Sequence, residues 1–217
     1  MRKGHVMSKL AFIFPGQGAQ KAGMGKDFYE KSEAARSFFD QAQKILDFDL
    51  KEMCFGEHEE LNLTEYTQPC MVSVCLAIVQ ELKKRGINPD ITAGLSLGEY
   101  AAVAAADGMN ELDAIKLVRR RGILMQSTVP AGEGAMAAVL GLDAKKIEEI
   151  LESFENVWIA NYNCPGQIVI TGLTNEVQQA SLALKDCRRN IDLQRFCNEH
   201  YYFADCRILV CGSFGTF

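Results

Sequence analysis

The pentapeptide GLSLG at residues 94–98 decides the fold class and contains the most reactive candidate side chain, Ser96. It lies between the apolar segment 87–92, predicted as a short strand, and the alanine-rich segment 99–106, predicted as a helix. A G-x-S-x-G sequence in this position is the pattern of a nucleophile elbow, in which two glycines allow a tight turn that exposes the serine hydroxyl. The pattern predicts an α/β fold with Ser96 as nucleophile. The alternative is a turn that only caps the following helix.

A second glycine-rich loop follows the first predicted strand. The apolar run at 10–14 ends in the sequence PGQG at 15–18, which predicts a buried strand that opens into a loop. In α/β folds, loops at the carboxyl ends of the strands hold the site residues. We therefore expect this loop to belong to the same site as Ser96. The alternatives are a simple turn and a phosphate-binding loop, and the lack of a G-x-x-x-x-G-K-[ST] sequence disfavours the latter.

The remaining pattern divides the chain into a helical part and a smaller part that mixes strands and helices. Apolar residues at helical spacing predict helices at 28–46, 68–85 and 114–126. The sequence PAGEG at 130–134 is the strongest boundary signal. Beyond it the predicted order is β-α-β-β-α, at 135–140, 143–154, 157–163, 167–171 and 175–185. A strand within 191–196 would complete a ferredoxin-like β-α-β-β-α-β unit.

These boundaries predict three parts: a large α/β core at 7–130, a small subdomain at 131–196 and an atypical tail at 197–217. From residue 187 onward the chain has no lysine and no clear period of 2 or 3.6. Such a segment fits an evolved tail, an interaction segment or a change of reading frame.

Composition narrows the class of protein. The 217 residues are 48% hydrophobic and 24% charged, which is typical of a globular protein, and the net charge of −5 disfavours a nucleic-acid partner. No apolar run is long enough to span a membrane and no signal-peptide pattern is present, so we expect a cytoplasmic protein without membrane contact. The 3 histidines and the scattered cysteines have no zinc-ligand spacing, so we expect no metal site.

Four motifs together are more specific than any one of them: FPGQGAQ at 14–20, GLSLGEY at 94–100, RG at 121–122 and NCPGQ at 163–167. In order and spacing they resemble the malonyl-CoA:acyl carrier protein transacylases of fatty-acid synthesis. The resemblance implies an α/β-hydrolase-like core with an inserted ferredoxin-like subdomain. It also implies an S-malonyltransferase, which moves malonyl from coenzyme A to Ser96 and then to the thiol of acyl carrier protein. No cofactor is implied beyond the coenzyme A thioester that is the substrate, and we expect a monomer.

The resemblance assigns roles to four further residues. It implies that the backbone N–H groups of Gln17 and Leu97 form the oxyanion hole, since donors placed there stabilise the charge on the attacked carbonyl. It makes Arg121 the clamp for the malonyl carboxylate, a bidentate contact that acetyl lacks. Asn163 is expected to line the acyl pocket. The alternatives are a solvated helix face for the arginine run at 119–121 and a turn role for Asn163.

The sequence departs from the family at the general base. The family uses a histidine, but the surroundings of His200, the candidate in this region, do not match the family's motif. The large domain is expected to be incomplete at the C-terminus, and Leu95 stands where many family members have histidine. Two rival functions follow: a serine thioesterase or esterase, whose acyl-serine is released by water, and a remnant that binds but lacks the base for turnover.

Overall fold

The computed structural model describes residues 9–129, 132–186 and 194–197, with the backbone alone for 186 and 194–197. These residues form two compact units, of which the first runs through Met125 and the second begins at Gln126. No helix within these ranges is both long and apolar enough to cross a membrane.

Among the described residues, two strands, six α-helices and one 3-10 helix begin in the first unit. The strands are β1 (Ala11–Phe14) and β2 (Ile91–Gly94). The helices are α1 (Lys26–Lys31), α2 (Glu33–Gln43), α3 (Leu50–Phe55), α4 (Thr64–Lys84), α5 (Gly98–Ala105) and α6 (Glu111–Thr128), with a short 3-10 helix at Glu59–Asn62. The core is built around α4, and Phe39, Leu50, Leu76 and Ile115 are among its fully buried side chains. Burying each such side chain contributes about 1.5–3 kcal/mol to the stability of the folded state.

The pairing of β1 with β2 brings the two glycine-rich loops to one edge. The strands are parallel, and Phe14 lies opposite Gly94 at their carboxyl ends. Because parallel strands end at the same edge of a sheet, the loop after Phe14 and the turn after Gly94 leave from neighbouring points. The backbone N–H of Leu95 donates to the carbonyl oxygen of Phe14 at 3.1 Å and fixes this arrangement.

The single helix predicted at 28–46 is wrong, because the structure has two helices that break at Ser32. This residue has extended backbone angles, φ −115° and ψ 119°, and its Oγ accepts a hydrogen bond from the N–H of Ala35 at 3.1 Å. A serine hydroxyl that satisfies a free N–H of the first turn is a preferred N-cap. The helix α3 was not predicted; Asp49 caps it by accepting hydrogen bonds from the N–H groups of Lys51 and Glu52.

The second unit has the predicted order β-α-β-β-α-β. Its elements are β3 (Gly134–Leu140), α7 (Ala144–Leu151), β4 (Val157–Cys164), β5 (Gln167–Leu173), α8 (Thr174–Asp186) and β6 (Gln194–Cys197). The four strands form one antiparallel sheet in the order β4-β5-β3-β6. Val139, Ile147, Ile170 and Leu184 are fully buried in the core of this unit.

Candidate active site

Ser96 occupies a strained turn between β2 and α5. Its φ is +49°, in the left-handed region that residues other than glycine seldom adopt, at a cost of about 1–3 kcal/mol. The carbonyl oxygens of Leu95 and Ser96 accept from the N–H groups of Gly98 and Glu99 at 2.9 and 3.1 Å, so the turn continues directly into α5. Ser96 itself is exposed. The strand, turn and helix required of a nucleophile elbow are therefore present.

The two glycines of the turn are needed because backbone passes close to both. A Cβ on Gly94 would overlap the carbonyl group of Gly98. A Cβ on Gly98 would overlap the carbonyl oxygen of Phe14 and lie 2.7 Å from that of Pro15. The pattern G-x-S-x-G thus reflects two close backbone contacts, and the second joins the Ser96 turn to the other glycine-rich loop.

Gly98→Ala is expected to lower the free energy of unfolding by about 3 kcal/mol or more, because the added methyl meets backbone that cannot rotate away. Gly86→Ala is the control: Gly86 has φ +74° but nothing within 4 Å of a Cβ, so only backbone strain of about 1 kcal/mol is expected. Urea unfolding of both variants measures the difference. A Gly98→Ala variant as stable as the unmodified protein would contradict the close contact.

The loop at 15–18 lies against the Ser96 turn. A Cβ on Gly16 would be 2.9 Å from the carbonyl oxygen of Leu95, and Gly18, at φ +110°, donates its N–H to Oε1 of Gln20 at 2.7 Å. Within the described ranges, no acceptor is hydrogen-bonded to the backbone N–H of Gln17 or of Leu97. These two N–H groups are therefore without a hydrogen-bond acceptor among the described residues, and their role as an oxyanion hole stays a prediction.

The side chain of Gln17 is held in the interior by two residues of α4. It is 8% exposed, its Nε2 donates to Oγ1 of Thr64 at 3.0 Å, and its Oε1 accepts from Nε2 of Gln68 at 3.3 Å. Gln68 also donates to Sδ of Met125 at 3.3 Å, whereas its own Oε1 has no partner among the described residues. An unpaired buried acceptor costs about 1–3 kcal/mol. Neither Thr64 nor Gln68 belongs to a motif that the sequence shows, and the available signal for Gln68 was a glutamine in the apolar part of α4.

Arg121 carries a guanidinium group without an ion pair among the residues that the structure describes. Its Cζ lies 5.6 Å from the ring centroid of Tyr100, in the helix that follows Ser96. Stacking on an aromatic face restrains the guanidinium plane and leaves its N–H fork free for a carboxylate. The next residue, Gly122, allows α6 to approach α4, since a Cβ there would be 2.8 Å from the Thr64 carbonyl oxygen.

Arg119, the first residue of the arginine run, does not belong to a solvated helix face. Its side chain is 13% exposed and donates twice to the Asp47 carboxylate, at 2.9 Å each. It also donates to the carbonyl oxygen of Glu65 at 2.8 Å. This carbonyl group has no helical hydrogen bond from residue 69, because Pro69 has no N–H. The hydrogen bond from Arg119 lowers the pKa of Asp47 below its usual range. Arg119 therefore fixes α6 against α4 and thereby places Arg121.

Asn163 belongs to the second unit, and its role in the acyl pocket stays a prediction. Its Nδ2 donates to Oε1 of Gln167 at 3.3 Å, across the turn that joins β4 to β5. This contact fits the turn role that was the alternative to an acyl-pocket role. His200 lies outside the described residues, and His58 pairs with Glu52 at 3.0 Å.

Two further observations concern metal ligands and thiols in the part of the chain that the structure describes. Its His, Cys, Asp and Glu residues form no group of three able to hold a metal ion. Burial raises the pKa of Cys75 to about 12 and raises that of Cys70 well above its usual value. Neither thiol supplies a thiolate nucleophile near neutral pH.

Comparison with known proteins gives consistent results. The sequence profile of the acyl transferase domain matches residues 11–196. The malonyl CoA-acyl carrier protein transacylase of Bacillus subtilis (strain 168) is 46% identical over 195 residues, which are 87% of this chain and 62% of that protein. The solved structure of the transacylase of the same name from Clostridium perfringens superposes with a TM-score of 0.79 at 39% identity, covering 87% of this chain and 60% of that one.

A third similar protein is the malonyl-transacylase solved in complex with a type II polyketide acyl-carrier protein. It superposes with a TM-score of 0.78 at 36% identity, covering 88% of this chain and 62% of that one. The chain thus spans about three fifths of the length of the relatives that it matches.

Proposed function

Because the chain belongs to the acyl transferase domain family, we propose that it transfers a malonyl group from malonyl-CoA to acyl carrier protein through an ester on Ser96. The observation that carries this proposal is the strained turn of Ser96, with the free N–H groups of Gln17 and Leu97 beside it. The proposed substrates are those in the names of the similar transacylases and of the carrier-protein complex.

The transfer consists of two half-reactions at one oxygen. Ser96 Oγ attacks the thioester carbonyl carbon, and the N–H groups of Gln17 and Leu97 stabilise the resulting oxyanion. The C–S bond breaks, coenzyme A leaves as the thiol with the proton from Ser96, and the malonyl ester remains. The carrier-protein thiol then attacks this ester and returns a proton to Ser96. These proton transfers need a general base. His200 is not assigned this role, because its surroundings do not match the family's motif and it lies outside the described residues.

Arg121 is the proposed binding group for the malonyl carboxylate. Its fork is not engaged by a described acid, and a planar guanidinium holds a carboxylate with two parallel hydrogen bonds. Asn163 as a residue of the acyl pocket, the cytoplasmic location, the monomer and the lack of a further cofactor stay predictions.

For the fold we propose an α/β-hydrolase-like core with an inserted ferredoxin-like subdomain. The parallel β1–β2 pair that leads into the Ser96 turn supports the first part. The β-α-β-β-α-β order and the antiparallel sheet β4-β5-β3-β6 support the second. The proposed parts are 7–130, 131–196 and the tail 197–217.

A transfer assay separates this function from its rivals. Radiolabelled malonyl-CoA is incubated with the protein, with and without holo acyl carrier protein, and the products are separated as malonyl thioester and free malonate. We expect the label on the carrier protein and little free malonate. Free malonate as the main product would indicate a thioesterase, because water then deacylates Ser96. If neither product forms, the chain is a remnant that binds but lacks the base for turnover.

A further inference from the structure

We infer that Gln68 is a positioning residue of the transfer reaction: its buried carboxamide holds the loop at 15–18 in the place where the Gln17 N–H meets the oxyanion. The inference rests on the proposed function of Ser96. It assigns to α4 a role in catalysis that the motifs do not show, since Gln68 lies in none of them.

The hydrogen bonds of Gln68 determine its orientation. The residue is 0% exposed, and both of its donated bonds end on acceptors, Oε1 of Gln17 and Sδ of Met125, at 3.3 Å each. Turning the amide over would bring its oxygen against these two acceptors, which offer no proton. In this orientation Gln68 links the loop to α6.

The Gln17 loop needs such an anchor because glycines flank it. Gly16 and Gly18 add little stiffness, and Gly18 has φ +110°. The side chain of Gln17 is instead fixed at both polar atoms, by Thr64 at 3.0 Å and by Gln68 at 3.3 Å. Because the backbone N–H and the side chain share one Cα, fixing the carboxamide also fixes the direction of the N–H.

Gln68 also relates the two parts of the proposed malonyl site. Met125 lies one helical turn after Arg121 on α6, so both residues share a face of that helix. A single amide thus contacts the loop that stabilises the oxyanion and the helix that carries the carboxylate clamp. Displacement of either element changes the distance between the protein groups that would bind the two ends of the malonyl group, and small misplacements of such groups slow the reaction.

Stability alone does not account for Gln68. Its Oε1 is buried without a hydrogen-bond partner among the described residues, and an apolar side chain of the same length would avoid that penalty. A buried polar group that lowers stability is typical of functional sites, where activity is gained at the expense of stability.

The test compares Gln68→Met, which keeps an unbranched side chain of similar length, with Thr67→Val as the control. Thr67 is equally buried in α4 and donates to the carbonyl oxygens of Leu61 and Leu63, with no bond to the loop. For each variant the rate of Ser96 malonylation, the KM for malonyl-CoA, the melting temperature and hydrogen exchange in peptide 12–20 are measured. The protein is used as the full chain.

For Gln68→Met we expect malonylation to slow by about tenfold to a hundredfold. We expect the KM to stay within about threefold and the melting temperature to fall by less than about 3 °C. Amide exchange in peptide 12–20 accelerates, because the loop loses an anchor. For Thr67→Val we expect a lower melting temperature but unchanged malonylation and unchanged exchange in this peptide.

Malonylation of Gln68→Met at the unmodified rate, or unchanged exchange in peptide 12–20, would overturn the inference. If malonylation and stability fall together in both variants, Gln68 is structural only. If the unmodified protein itself forms no malonyl ester, the proposed function fails, and the exchange measurement alone then decides whether Gln68 anchors the loop.

Discussion

Ser96→Ala is expected to abolish transfer of malonyl to acyl carrier protein, with a loss of about 10⁴- to 10⁶-fold in kcat. The variant lacks the oxygen that forms the ester, whereas the N–H groups of Gln17 and Leu97 still bind the thioester carbonyl. The KM for malonyl-CoA is therefore expected to change little. Steady-state transfer to holo acyl carrier protein measures both constants.

The matched control for this variant is Ser96→Gly, which also removes the oxygen but relieves the φ of +49°. Both variants are expected to be inactive, and the glycine variant is expected to be more stable by about 1 kcal/mol. Unfolding in urea measures that difference. Activity above about 1% in either variant would show that another residue is the nucleophile.

Arg121→Leu is expected to lower the preference for malonyl-CoA over acetyl-CoA by about tenfold to a few hundredfold for each hydrogen bond lost. The carboxylate of malonyl loses its charged partner, while acetyl has no group that the arginine contacts. Because Arg121 has no ion pair among the described residues, its removal leaves none of their carboxylates without a charged partner. The free energy of unfolding is therefore expected to change little. The ratio of kcat/KM for the two thioesters is the measurement.

Two neighbouring arginines serve as controls for Arg121→Leu. Arg120 is exposed, so Arg120→Leu is expected to leave both the ratio and the stability unchanged. Arg119→Leu is expected to destabilise the protein, because it removes the partner of Asp47 and of the Glu65 carbonyl group. An equal malonyl-to-acetyl ratio in Arg121→Leu and in the unmodified protein would contradict the clamp.

The sequence was most informative where function depends on local backbone. The turn of Ser96 could be predicted because its signal is local. Two glycines and one serine within five residues are enough to indicate a tight turn with close backbone contacts. The β-α-β-β-α-β order of the second unit could be predicted for the same reason, since period and turn residues are local signals.

Contacts between distant segments could not be predicted in this way. Gln68 meets Gln17 over 51 positions and Met125 over 57, and no periodicity reports such a pairing. The role of Arg119 depends on a carbonyl group freed by Pro69 in another helix. The break at Ser32 was missed because the apolar spacing continues on both sides, and only the cap shows where one helix ends.

The most direct test of the account is intact-protein mass spectrometry after a brief incubation with malonyl-CoA, followed by peptide mapping. The account predicts one malonyl group per chain, located on Ser96, removed by addition of holo acyl carrier protein and absent from Ser96→Ala. An unchanged mass, or a malonyl group that persists in Ser96→Ala, would contradict the central claim that Ser96 carries the acyl group.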